Sequence, residues 1–146
     1  MSDYETVKYS QDDAVVIITI FRPDAMNSFN TELCRDLLAA FEKAAGDESV
    51  RVVILTGNER SFSAGADLKN SISCHKTVEQ QPQEEYRPIF ECIAEMKQTV
   101  IAAVSGSAAG IGMSYALICD LLVIADNAFL LSPFTTISLV PDGGLN

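Results

Sequence analysis

Two short stretches of the chain could hold a developing negative charge without any charged side chain. Phe62-Ser63-Ala64-Gly65-Ala66-Asp67-Leu68 and, about forty residues further on, Ala103-Val104-Ser105-Gly106-Ser107-Ala108-Ala109-Gly110-Ile111-Gly112 each follow an apolar run with the character of a buried strand. Each breaks that run with glycine and small residues where a helix should begin. Two such breaks side by side can aim two backbone N–H groups at one point. Donors converging on a carbonyl oxygen stabilise an enolate or a tetrahedral oxyanion.

Other constellations are weaker. Gly106-x-x-x-Gly110-x-Gly112 after a strand, with Asp126 twenty positions beyond Gly106, imitates a dinucleotide-binding fingerprint. That fingerprint opens a full crossover helix, whereas here only Met113 to Ile118 separate Gly112 from the next apolar run. Ser63, Ser105, Ser107 and Ser114 have no histidine after the second glycine segment, so a Ser-His-Asp triad of the Clp-peptidase kind cannot be assembled. His75, the only histidine, stands in a polar stretch and reads as a surface residue.

The elements that must position the two glycine segments follow from periodicity. Ala14 to Phe21 is a β-branched strand stopped by Arg22-Pro23. Asn30 caps a helix with Leu33, Leu37, Leu38 and Phe41 on one face, ended by Gly46. Val50–Leu55 and Val100–Val104 read as strands buried on both faces, and Leu121–Ala125 as a third. Tyr86, Ile89, Phe90, Ile93 and Met96 keep helical spacing, and a short helix starts near Gly110. Asn70 to Gln83 reads as a polar, mobile loop. Asp67 is expected to cap a helix and Asp120 to be structural. Strands alternating with helices give an α/β fold with crossover connections.

Composition narrows the function classes. The 146 residues, 48% hydrophobic, suffice for one domain, taken as 1–146. A net charge of −10 with no basic stripe argues against nucleic acid, and requires any contact to a polyanion to be local. No apolar run approaches the ~20 residues of a membrane span, and the acidic start Met1-Ser2-Asp3-Tyr4-Glu5 lacks a signal-peptide pattern, so a cytoplasmic protein without a membrane partner is expected. Cys34, Cys74, Cys92 and Cys119 form no Cys-x-x-Cys pair and read as reduced, packed thiols rather than disulfides or a metal site.

Taken in order, Arg22-Pro23-Asp24-Ala25-Met26-Asn27-Ser28, the two glycine segments, Cys119-Asp120-Leu121-Leu122-Val123-Ile124-Ala125, Leu131-Ser132-Pro133-Phe134 and Val140-Pro141-Asp142-Gly143-Gly144 resemble the crotonase superfamily of enoyl-CoA hydratases and isomerases. The resemblance covers nearly the whole chain. It implies a spiral of ββα units, of which this chain is the N-terminal portion, without the C-terminal helices that cover the acyl pocket and build a homotrimer or hexamer. It implies an acyl-CoA thioester as partner and no cofactor beyond the coenzyme A of the substrate.

Carried over residue by residue, the resemblance makes the amides of Ala66 and Ile111 the oxyanion donors. Ile111 stands where hydratases usually have glycine, and its β-branched side chain should narrow the acyl pocket. The carbonyls near Ala64 and Leu68 would hold adenine, and Lys69 or Arg22 a phosphate. Hydratases place two carboxylates where this chain has Ser114 and Phe134, which disfavours water addition. Asp142 is the carboxylate that remains, and Pro-Asp-Gly-Gly is also a natural turn. One base suffices to move a double bond from the 3- to the 2-position, and Pro133-Phe134-Thr135-Thr136 with Pro141-Asp142-Gly143 looks like the isomerase branch. The alternatives are an acyl-CoA-binding or scaffold protein without turnover, like the chromodomain-Y-type proteins, a hydratase, and an aryl-CoA dehalogenase with Asp142 as nucleophile. No tryptophan or second histidine supports the last.

Overall fold

The computed structural model describes residues 4–69, 80–141 and 143–145. The β-branched run after Ala14 forms β2 (Val15–Ile20), paired antiparallel with β1 (Val7–Asp12) in the register Val7↔Ile20 through Asp12↔Val15. The sheet then grows by parallel pairing through β3 (Val52–Thr56), β5 (Thr99–Val104) and β7 (Leu121–Ile124), in the order β1-β2-β3-β5-β7. Three shorter strands, β4 (Ser61–Ser63), β6 (Ser107–Ala109) and β8 (Phe129–Leu131), make a second parallel sheet in the order β4-β6-β8. From β3 onward each winding of the chain contributes one strand to the large sheet and the next to the small one. Parallel neighbours require crossovers, and the helices supply them, which gives the ββα spiral.

Helix α1 (Thr31–Gly46) starts as its cap dictates, with the Asn30 side chain accepting the Leu33 N–H at 2.9 Å. Its buried stripe of Leu33, Leu37, Ala40, Phe41 and Ala44 covers the large sheet. Gln98 closes the other end by donating to the carbonyls of Ala44, Ala45 and Asp47 at 3.1, 3.4 and 3.4 Å. Helix α2 (Arg87–Glu95) is entered through one π turn, Pro82–Tyr86, and α3 is Ile111–Ile118. Tyr115 of α3 stacks between Phe29 and Phe90, ring centroids 4.7 and 4.5 Å away, which locks α3 and α2 onto the start of α1. Asp120 accepts the Val100 N–H at 2.8 Å, the structural role expected of it.

Three expectations change. Residues 70–79, including Cys74 and His75, lie outside the described residues, but the polar stretch ends sooner than Gln83, because residues 80 and 81 are already helical. Side chains spaced i,i+4 explain it: Gln81 donates to Glu85 at 3.0 Å, and Arg87 to Gln83 at 3.2 Å and Glu91 at 2.7 Å. Second, Leu121–Ile124 is exposed rather than buried, Val123 by 59%. It is the outer strand of its sheet, and no described element lies over it. The neighbouring β8 and the residues from Ile137 to Val140 are exposed as well. Third, Asp67 does not cap a helix. Its Oδ1 accepts the Lys69 N–H at 3.1 Å and its Oδ2 pairs with Arg22 at 3.2 Å.

The Arg22–Ser28 motif joins the two sheets. Asn27 sits at φ 57°, a left-handed conformation that asparagine tolerates better than most residues. Its buried side chain accepts the Arg22 N–H at 2.8 Å and donates to the Ser61 carbonyl at 2.9 Å, tying the end of β2 to the start of β4. Asn27→Ala loses both bonds and the αL preference together, so a loss of about 2–4 kcal/mol in unfolding free energy is expected by chemical denaturation. A change below about 0.5 kcal/mol, the range of an ordinary surface substitution, would show that the staple is dispensable.

Candidate active site

Strands β4 and β6 are paired in parallel, Ser61 opposite Ser107 and Ser63 opposite Ala108, so the segments leaving their C-terminal ends run side by side. Gly65 at φ 102° and Gly110 at φ 54° bend those segments at the same level. A Cβ placed on Gly65 would lie 3.0 Å from the Ala109 carbonyl oxygen and 3.9 Å from the Gly110 Cα, so both positions need glycine for conformation and Gly65 also for close approach. Ala66 and Ile111 come immediately after these two bends.

Their amides are not spent on the sheets. Ala66 bridges Phe29, with the Phe29 N–H donating to the Gly65 carbonyl at 2.7 Å and the Asp67 N–H to the Phe29 carbonyl at 2.8 Å. Along an extended segment successive N–H groups alternate in direction, so the Ala66 N–H faces away from that bridge. Ile111 is the first residue of α3, where a helix has no internal acceptor for its N–H. Neither amide has a hydrogen-bond partner among the described residues. The positive end of α3 adds to the pull on an anion.

A cavity of about 440 Å³ opens beside Ile111. Tyr86, Phe90, Leu117 and Ile118 give it apolar walls, Arg87 stands at its side, and Gly143 and Gly144 border it. The Ser114 hydroxyl is on the wall, 3% exposed and without a hydrogen-bond partner among the described residues, a burial that costs about 1–3 kcal/mol if nothing meets it. Phe134, buried in a 3₁₀ turn (Phe134–Ile137), reaches to 3.9 Å from a Cβ placed on Gly110. Asp142 itself lies outside the described residues, between Pro141 and Gly143.

Residues 10–146 match the family described as enoyl-CoA hydratase/isomerase. The chain belongs to that family. It is 36% identical over 97% of its length to a Rhodobacter capsulatus protein named "Probable enoyl-CoA hydratase", of which it covers 54%. It is 34% identical over 92% of its length to the 2,3-dehydroadipyl-CoA hydratase of Escherichia coli, covering 52% of that protein. The crystal structure of an enoyl-CoA hydratase from Bacillus anthracis superimposes with a TM-score of 0.87 at 31% identity, over 96% of this chain and 55% of that one. The chain thus has the crotonase fold and spans about half the length of the curated relatives it matches.

Within this enoyl-CoA hydratase/isomerase frame the two candidate cations differ. Arg22 is held between segments: Nη1 donates to the Ser28 carbonyl and Nη2 to Asp67, with its side chain largely covered. Lys69 is exposed, as are Ala64 and Leu68 beside it. The free cation at this edge, among the described residues, is therefore Lys69 and not Arg22. Among the described residues the thiols take no visible part. Burial pushes Cys119 up to about 12 and Cys34 higher still, so both stay protonated. No helix among the described residues is long and apolar enough to cross a membrane.

The sequence carried no sign that Ser114 would be left without a partner, nor that Leu117 and Ile118 would face the cavity. Leu117 and Ile118 belong to a helix apolar on every side, whose sequence does not say which face is the wall.

Proposed function

We propose that the whole protein is an acyl-CoA enzyme that converts a 3-enoyl thioester to the 2-enoyl isomer. The reading is carried by one observation: two unspent amides, Ala66 and Ile111, follow the ends of two paired strands, and an apolar cavity opens beside Ile111. The thioester carbonyl would accept both N–H groups at about 3 Å. Asp142 takes a proton from C2, the electron pair passes through C1 to the carbonyl oxygen as a dienolate forms, and the same carboxylic acid returns the proton to C4 as the double bond settles between C2 and C3. The acyl chain lies against Ile111 and Phe134. The carbonyls at Ala64 and Leu68 take the adenine, and Lys69 takes a phosphate. The reaction as written calls on no group beyond the coenzyme A of the substrate, and a homotrimer or hexamer of the full protein belongs to the same proposal.

Hydration is the second reading, favoured by the names of the relatives. Against it stands the chemistry of Ser114 and Phe134, neither of which can deprotonate water as a carboxylate does. Assays of the full chain on a 3-enoyl-CoA and on crotonyl-CoA separate the two. Isomerisation with little hydration is expected, and hydration comparable in rate with isomerisation would overturn the assignment. Binding of both thioesters with turnover of neither would favour the scaffold reading.

A further inference from the structure

The helices cover one face of the large sheet and leave the other bare. Side chains alternate across a strand, so the registers put Ile17, Ile54, Ile101 and Leu121 in one row across β2, β3, β5 and β7 on that bare face. None of the four belongs to the core, and Ile17 and Leu121 are 37% and 56% exposed. Parallel strands are as a rule covered on both faces, which makes this one a docking surface. Of all the residues in the five strands only Lys8 and Asp12 of β1 are charged, and both lie on this face, two positions either side of Ser10. Ser10 pairs with Ile17 and so forms the rim of the same row. The Lys8 ammonium is held on the face, 3.6 Å from the centroid of the Phe21 ring.

The placing of opposite charges about one row names the occupant. A two-fold axis along the row from Ser10 to Leu121 turns the face onto itself with the strands of the two copies antiparallel. Lys8 then meets Asp12 of a second copy at each rim, and the apolar rows meet at the ~10 Å separation of packed sheets. An axis along the strands, centred on the sheet, would lay β1 over β7 and press both charges against Leu121 and Val123 without a partner, which is costly. Each chain carries a net charge of −10, so two copies repel over most of their surfaces. On this face the charges cancel. We infer that the bare face of the large sheet is a two-fold interface between copies of this chain, apolar across β2, β3, β5 and β7 and closed at each rim by Lys8 of one copy and Asp12 of the other. The inference is independent of the acyl-CoA reading above. It requires an even number of subunits, which among the assemblies proposed above selects the hexamer.

Sedimentation velocity on the full chain at low and high salt tests it, with circular dichroism to show that each variant is folded. The wild type should hold an even number of subunits, and Ile17→Asp, which puts a charge into the central row, should halve that number. Lys8→Asp or Asp12→Lys alone sets like charges face to face at both rims and should weaken the association about tenfold, less so in high salt. The double variant, Lys8→Asp with Asp12→Lys, exchanges the partners and should restore it. An odd-numbered or monomeric wild type overturns the inference whether or not any variant folds. So do single charge variants that associate as the wild type does, and single losses that the double exchange fails to recover. If Ile17→Asp lowers the melting temperature and leaves the assembly mass unchanged, the face is covered within one chain and the two-fold interface falls.

Discussion

Replacing Asp142 by asparagine is expected to lower turnover of a 3-enoyl-CoA by ~10²–10⁴-fold, the range a positioned general base contributes. The amide keeps the shape of the carboxylate but cannot accept a proton at any ordinary pH, so the loss should fall on kcat. The proposed carbonyl donors on Ala66 and Ile111 and the adenine contacts at Ala64 and Leu68 belong to other segments, so the dissociation constant of a CoA thioester should move only a few-fold. The measurement is steady-state kinetics with direct binding on the same protein. Turnover like that of the wild type would reduce Asp142 to a turn residue of Pro-Asp-Gly-Gly and favour a crotonase-fold protein that binds acyl-CoA without converting it.

A backbone donor can be removed just as selectively. Ile111 is the first residue of α3, the position where proline is best tolerated because its missing N–H has no helical partner to lose. Gly110 before it, at φ 54° and ψ −125°, lies outside the helical region that a following proline disfavours. Ile111→Pro should therefore leave α3 in place and delete one of the two donors, with an expected fall in kcat of ~10²–10³-fold. Ile111→Ala, which trims the side chain and keeps the N–H, is the control for the change in cavity shape. Equal rates in the proline and alanine variants would mean that no oxyanion rests on this amide.

Much of this architecture could be read from the residue order because local signals and global fold agree. Asn30 and Gly46 mark the ends of α1, and the glycine breaks that suggested paired donors stand at adjoining strand ends. The small sheet could not be read in the same way, since three-residue strands such as Ser61–Ser63 carry too few positions for a pattern to emerge. The exposure of Leu121–Ile124 was hidden for a different reason: an apolar run reports what a strand is suited to touch and says nothing of whether the chain supplies it. Arg22 could not be read from the residue order, because a cation in a motif is equally suited to an anion of the ligand and to Asp67, with which the structure pairs it at 3.2 Å.

Strands β4 and β6 are direct neighbours, about 4.8 Å apart as paired strands are, and the two glycine segments that lead to Ala66 and Ile111 leave their ends. The apolar walls of the cavity come from the π turn, α2 and α3, through Tyr86, Phe90, Ile111, Leu117 and Ile118. In the proposed reaction the carbonyl is held by main chain and the acyl group is chosen by side chains, and the two roles meet at Ile111, whose amide serves the first and whose side chain serves the second. Under the proposed reaction, a library of substitutions at Tyr86, Phe90, Leu117 and Ile118 is expected to change which thioester is taken while the main-chain donors stay in place.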